Sequence, residues 1–328
     1  MVKYIAKRLA YMIGVFFIVS IIMFVLFNSM PGDRAMTQVS KLHGQVTEEQ
    51  FQKAYQNARE SLGLDDPVPI RYVKWMKNIL HGNLGYSSYY REDVTEVIKE
   101  PLKTTIFLNA FATILALGIT IPLGIRCAVH KKSKFDNTVQ VLTIVGYSIP
   151  SFIIGLVLMY FFSVKLGWFP LTGMGTPNFQ GNALEQFLDT MHYMILPLVV
   201  MTLASLGSMT RYVRAAMIDA LSMDYIRTAR AKGLKEKVII YSHAWRNALL
   251  SVITLIIGWF MSIFMGSIII ENMFQINGMG KLYYDGLYNQ DYDVALAINM
   301  FYCALTLIGN LLVDLSYGLV DPRIRVNK

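Results

Sequence analysis

Six long apolar stretches, at residues 9–30, 104–125, 137–164, 193–210, 247–270 and 294–313, contain no Asp, Glu, Lys or Arg. A helix crosses a bilayer with about 20 apolar residues. One such run could be a buried core helix, but six in one chain predict six transmembrane helices and an all-α membrane protein. The fourth run is the shortest and continues helically toward Arg211 and Arg214. The polar segment 31–103 breaks this pattern. It predicts an amphipathic helix over 47–62, with Thr47 as N-cap, Gln50 at the capping-box position and Gly63 as the stop. A turn-rich stretch, 64–69, is followed by aromatic residues at Tyr72, Trp75 and 86–90. Tyr and Trp beside a span mark the membrane interface, so this segment is expected to be a small cap packed on one membrane face.

Composition supports the same class. Of 328 residues 54% are hydrophobic and only 16% charged, and the mean hydropathy is +0.42. A soluble chain of this size carries a larger charged shell. Lys3, Lys7 and Arg8 ahead of the first run resemble a signal peptide. That run is too long for a signal core and lacks a small-residue cleavage site, so it reads as an uncleaved anchor whose helix ends at Pro31-Gly32.

Charge supplies an orientation. With the N-terminus in the cytoplasm, eighteen of the thirty Lys and Arg fall in segments 1–8, 126–136, 211–246 and 321–328. Sixteen of the twenty-two acidic residues fall on the other side. The short loops decide under the positive-inside rule: 126–136 and 211–246 are basic, whereas 165–192 and 271–293 hold one Lys each. Both termini are therefore expected in the cytoplasm. The pI near 9.3 is explained by this asymmetry, and nucleic acid is not an expected partner. The expected organisation is a cytoplasmic start and first span (1–30), an extracytoplasmic segment (31–103), a transmembrane core (104–320) with a cytoplasmic loop at 211–246, and a cytoplasmic tail (321–328).

Pro122, Pro150 and Pro197 lie inside the second, third and fourth runs and should bend them. Small and polar residues accompany them: Gly146, Ser148 and Ser151, then Ser205, Gly207 and Ser208. Either close helix packing or the lining of a pathway explains this. The candidate pathway set is Ser148, Pro150, Ser151, Ser205, Ser208 and Asn299; Asn310 carries the same ambiguity. Asp314 is expected to pair with a basic residue such as Arg214.

No phosphate loop, His-Glu-x-x-His or G-x-S-x-G motif occurs. Cys127 and Cys303 form no disulfide framework or metal motif, the five His are scattered, and no cofactor or metal is expected. The chain is not expected to be an enzyme, and active transport would need energy from another subunit.

The loop 211–246 is too long for a turn. Ser222 or Asp224 can cap a short helix running through Lys232, with Gly233 at its C′ position, and Arg230 and Lys232 suit its negative end. Ala229 and Ala231 leave a shallow surface that a partner could approach closely. A second helical stretch, 235–245, leads back to the membrane. The residues alone fit a helix presented to a cytoplasmic partner, or one resting on anionic lipid.

Here the chain resembles a family. The stretch Asp224-Tyr225-Ile226-Arg227-Thr228-Ala229-Arg230-Ala231-Lys232-Gly233-Leu234, followed by Trp245-Arg246-Asn247-Ala248-Leu249, is similar to the cytoplasmic loop of binding-protein-dependent ABC importer permeases. Met30-Pro31-Gly32-Asp33, Leu62-Gly63-Leu64-Asp65-Asp66-Pro67, Gly82-Asn83-Leu84-Gly85, Tyr147-Ser148-Ile149-Pro150-Ser151-Phe152, Glu271-Asn272-Met273-Phe274 and Asp321-Pro322-Arg323-Ile324-Arg325 resemble its oligopeptide and dipeptide branch. Two departures are Asn277-Gly278-Met279-Gly280, where the family has Pro-Gly-x-Gly, and Ser251, where it often has Pro.

The resemblance implies a type I ABC importer permease fold in a prokaryotic plasma membrane. It implies a second homologous permease subunit, two cytoplasmic ATPase subunits and an extracytoplasmic solute-binding protein as partners, with peptide as cargo. It assigns ATPase coupling to Asp224, Tyr225, Thr228, Ala229, Arg230, Gly233 and Leu234. Relatives carrying nickel, glutathione or sugars, and an energy-independent channel, are the alternatives.

Overall fold

The computed structural model describes residues 2–30, 32–39 and 44–320. Pro31, His43, the expected tail 321–328 and the motif at Asp321–Arg325 lie outside the described residues. In chain order the helices are α1 (Val2–Ser29), α2 (Arg34–Val39), α3 (Glu48–Ser61), α4 (Val68–Leu80), α5 (Val94–Val129), α6 (Lys134–Ser148), α7 (Ser151–Leu158), α8 (Ala183–Leu221), α9 (Asp224–Ala231), α10 (Glu236–Val238), α11 (Trp245–Ser262), α12 (Ile268–Met273), α13 (Met279–Tyr288) and α14 (Tyr292–Val320). Two π-helical segments, Met159–Lys165 and Ile239–Ala244, extend α7 and lead into α11.

Among the described residues, five helical stretches are long and apolar enough to cross a membrane by themselves. A sixth candidate exists where Lys134–Ser148 and Ser151–Lys165, bent by 95°, are counted together as one broken span. The expected bend at Pro150 is therefore a full break. Pro150 is the N-cap of α7 with extended backbone, and the residue before a proline is driven out of the helical region, as Ile149 is (ψ 124°). Pro122 and Pro197 lie within helices that run on past them.

The fifth run also differs from expectation. Its helix ends at Ser262, not at 270, and residues 268–273 form the separate α12. The Asn109 side-chain amide supports this end, its two hydrogens shared among three carbonyls. It donates to the carbonyls of Ser262 (3.3 Å), Ile263 (3.1 Å) and Met265 (2.8 Å), satisfying groups that a helix end leaves without partners. In a membrane such groups must be met internally.

The chain divides into two compact units. Among the described residues, the first comprises those within 2–104, 266–268 and 277–308; the second comprises 105–265, 269–276 and 309–320. In the first, α4 lies on α1 through aromatic packing: the Phe24 ring centroid is 5.5 Å from Tyr72 and 5.3 Å from Trp75. The Tyr72 hydroxyl meets that of the buried Ser20 at 2.8 Å, and Arg71 donates to Asn28. Of the aromatic patch of 31–103, Tyr72 and Trp75 thus pack on α1, while Tyr86, Tyr89 and Tyr90 are exposed. The capping box of α3 forms as expected, with Thr47 and Gln50 each accepting from the other's backbone. Asp33 accepts from Tyr55 and from the backbone of Ala35 and Met36. Burial pushes this carboxyl up, but these bonds outweigh it and hold the group below its ordinary range. Gly266 and Gly280 cross backbone to backbone, and a Cβ on Gly266 would lie 2.0 Å from the Gly280 nitrogen.

In the second unit α8, 39 residues long and hence about 58 Å at 1.5 Å per residue, is the central element. α6, α7 and α11 pack on it. Many apolar side chains of the α6–α7 pair remain exposed, among them Val141, Leu142, Phe152 and Leu156, as suits helices facing lipid or another membrane subunit.

Candidate coupling segment and internal cavity

α9 begins where α8 can no longer continue. Ser222 is the C-cap of α8 and donates its hydroxyl back to Asp219 O at 2.7 Å. It therefore does not cap α9, contrary to expectation, and neither does Asp224. The N-cap is Met223, with extended backbone and no side-chain hydrogen bond. Asp224 stands in the first turn with its carboxylate almost fully exposed, favourable for the helix dipole.

The other end follows the expectation. Lys232 is the C-cap, and Gly233 at C′ has φ +72°, a conformation open to glycine at little cost. Gly233 N donates to Arg230 O (2.9 Å) and Leu234 N to Ala229 O (3.3 Å), which together make a complete Schellman motif. Arg230 then forks onto Glu236, with Nε to Oε1 at 2.8 Å and Nη2 to Oε2 at 3.3 Å. This bond to Glu236 raises the Arg230 pKa above its ordinary value and ties the end of α9 to α10.

Two side chains fasten α9. Ile226 and Ala229 are buried, one turn apart on one helix face. They join an apolar cluster with Val213, Met217 and Ala220 of α8, Ile125 and Ala128 of α5, Ile239 and Ala244 of the π-segment, and Ala248 and Val252 of α11. Ala229 therefore does not form the shallow outer surface expected of it; it is half of the anchor. Arg227, Thr228, Ala231, Leu234 and Val238 are exposed. Tyr225 is also exposed but leans back, its hydroxyl donating to Ala220 O at 3.3 Å, and partial burial pushes its pKa up.

Higher on α8, Ser205 and Ser208 line a cavity of about 270 Å³ with Asn109, Thr113, Ala204, Trp259 and Ser262. The lining is hydroxyl, amide and apolar, without a charged side chain. The other pathway candidates are elsewhere. Ser148 donates to Ile144 O at the end of α6, Pro150 and Ser151 form the break before α7, and Asn299 donates to Ala295 O within α14. Asn109, Thr113 and Trp259 were not candidates from sequence. A lone amide in the otherwise apolar second run was the available signal for Asn109. Glu271, one residue beyond the expected fifth span, is buried and accepts from Thr105 Oγ1 at 3.0 Å.

Arg214 pairs with Asp136, not with Asp314. Its Nε and Nη2 lie 2.6 and 2.7 Å from the two carboxylate oxygens, the forked geometry that suits a guanidinium. Asp136 sits in the first turn of α6, within reach of α8, so it takes the partner expected for Asp314.

The family profile "Binding-protein-dependent transport system inner membrane component" matches residues 120–326, and the N-terminal profile of the same transport-system component matches residues 1–109. The chain belongs to this family. The oligopeptide transport system permease protein AppB of Bacillus subtilis (strain 168) is 38% identical over 325 residues, 99% of each chain. The probable peptide ABC transporter permease protein y4tP of Sinorhizobium fredii is 34% identical over 322 residues, 98% of this chain and 99% of that one. Among solved structures, the inward-facing MetNI methionine ABC transporter superposes with TM-score 0.51 at 15% identity, covering 68% of this chain and 97% of that one. This likeness identifies the type I ABC importer permease fold of the family member described here.

Proposed function

We propose that this chain is the pore-forming permease subunit of an ATP-driven importer of oligopeptides or dipeptides, coupled to cytoplasmic ATPase subunits through α9. One observation carries the reading. α9 presents a charged outer face while Ile226 and Ala229 bind it to the base of α8, the helix whose Ser205 and Ser208 line the half-open cavity. A push on α9 is thus delivered to a long, stiff helix at the wall of the cavity. The full-length likeness to permeases named for peptide transport supports the cargo. The cavity's uncharged lining suits a solute gripped through amide and hydroxyl groups better than a metal cation.

In this reading both termini and the loop 211–246 are cytoplasmic, the segment 31–103 is extracytoplasmic, and 104–320 form the permease core. A second homologous permease completes the pore, two ATPase subunits supply the energy, and a solute-binding protein delivers peptide from outside. Tyr225, Thr228, Arg230, Gly233 and Leu234, with Asp224 at the helix start, form or shape the docking face, and Ala229 anchors it.

Gly233→Pro tests the assignment. Proline fixes φ near −65° and removes the N–H, so neither the +72° conformation nor the bond to Arg230 O survives. Membrane insertion should be unchanged, while ATPase retention on purification or ATP-driven peptide uptake falls at least about tenfold, the usual scale of a coupling interaction. Normal uptake would remove α9 from this role. Uptake by liposomes holding this chain without any ATPase would instead identify a facilitator.

A further inference from the structure

We propose that the Asp136–Arg214 ion pair is the link that carries displacement of α9 and α8 into the broken third span, and so sets how much transport each ATP turnover yields. This rests on the permease reading above. The pair occupies a mechanically specific place. Arg214 stands on α8 ten residues before α9 begins, and Asp136 stands in the first turn of α6. The far end of α6 is the 95° break at Pro150. Whatever drags the base of α6 therefore acts across a hinge.

α6 meets α8 at two heights, and the two contacts differ in kind. At the upper one Gly207 faces the α6 backbone directly: a Cβ there would be 2.7 Å from Thr143 O. Such a contact has no side-chain knob on the α8 side and lets the two backbones approach closely. The lower contact is directional. The Asp136 carboxylate has almost no exposure and is already oriented by Lys132 N, which donates to Oδ2 at 2.9 Å. Ser133 Oγ caps the same turn by accepting from Asp136 N at 3.1 Å. The planar Arg214 fork then meets that fixed carboxylate at both oxygens, which restricts translation and rotation together.

Beside the pair is open space of about 530 Å³, lined by Gln140, Tyr147, Ser208, Arg211, Tyr212 and Arg214. On this side the α6–α8 seam is therefore open to its surroundings and not filled by side chains. Stability alone does not call for a charged pair here, because well-packed apolar residues often serve as well at such sites.

The test uses the complete complex, with partner permease, ATPases and binding protein, in proteoliposomes. It reads ATPase retention, binding-protein-stimulated ATP hydrolysis, peptide uptake and the ratio of uptake to hydrolysis. Asp136→Asn and Arg214→Lys should retain the ATPases and keep hydrolysis within about twofold, while uptake per ATP falls about tenfold, a coupling free energy of ordinary size. The double variant Asp136→Arg with Arg214→Asp should recover the ratio only in part, because Arg at position 136 cannot accept from Lys132 N. The apolar double variant Asp136→Leu with Arg214→Met should match wild type in thermal stability but not in ratio. An unchanged ratio in Asp136→Asn, or a ratio restored by the apolar pair, would overturn the proposal. A wild-type complex that fails to retain ATPases or to hydrolyse ATP would instead overturn the permease reading beneath it.

Discussion

The helices α6, α8, α9 and α11 and the short helices of residues 32–93 treat their polar groups in contrasting ways. Around α8, helices approach through small residues and leave hydroxyls and amides facing a cavity; Gly207 rests against the α6 backbone, and Ser205 and Ser208 border open volume. In 32–93, side chains are tied down locally: Thr47 and Gln50 box the start of α3, Arg59 holds Asp65 at 2.6 Å, and Lys74 holds Asp66 at 2.6 Å. In the first region the strong locks are two forked ion pairs, Asp136–Arg214 and Arg230–Glu236, and the Gly207 contact tolerates little added volume. The second has many small locks, each of modest strength. A region that passes on a displacement suits close helix contacts with a few strong pins, and a static cap many caps and turns.

The contrast is broken most severely at Gly207. Gly207→Leu drives a side chain into Thr143 O and Tyr147 Cβ, at 2.7 and 2.9 Å from the new Cβ. Overpacking of this kind costs about 3 kcal/mol, the upper end of the usual range. Thermal unfolding of the purified chain should show a clear loss of stability, and peptide uptake should be abolished. Normal stability in this variant would mean that α6 and α8 are not in backbone contact.

A middle-sized effect belongs to the locked region. Asp291 is buried and accepts from Ser87 Oγ and from Tyr89 N, the latter at 3.2 Å. Burial raises its pKa above the ordinary value, against the opposing effect of these bonds. A carboxyl raised in the folded state contributes stability that is fully present below its unfolded pKa and is lost as pH rises through the folded value. Asp291→Ala should cost about 2 kcal/mol by leaving two donors unsatisfied, seen as faster hydrogen exchange over residues 84–94. Asp291→Asn keeps an acceptor and cannot ionise. Its exchange rates, relative to wild type, should therefore improve as pH rises from acid to neutral. The opposite trend would show that Asp291 is stabilised as the charged form.

What could be foreseen follows this division. The six apolar runs were legible because nothing else accounts for so many uncharged stretches, and Gly233 and the Thr47–Gln50 box were legible because caps act over a few residues. The stop at Ser262 was hidden because a group that supports it, the Asn109 amide, lies 153 residues upstream. The partner of Arg214 was hidden likewise, 78 residues away; charge counting placed both groups on one side but could not choose between Asp136 and Asp314. Ala229 is different: its spacing of three from Ile226 marks a shared face, and the periodicity alone would have put it inward.

The smallest effect tests whether the locks of the second region are as modest as their chemistry implies. Thr47 accepts from Gln50 N at 3.4 Å, a long bond, while Gln50 Oε1 accepts from Thr47 N at 3.2 Å. Thr47→Ala removes only the first, and an N-cap of this type is worth about 1 kcal/mol. The expected result is fraying confined to the start of α3, measured as faster amide exchange at residues 49 and 50, with exchange at Phe51 and Ala58 held by their packing with Ala35 and Val39. Uptake should stay at the wild-type level, because no cavity-lining or α9 residue is touched. If the single hydroxyl instead unfolded all of α3, the cap would be one cooperative piece resting on a single lock, and the contrast with the α8 region would disappear.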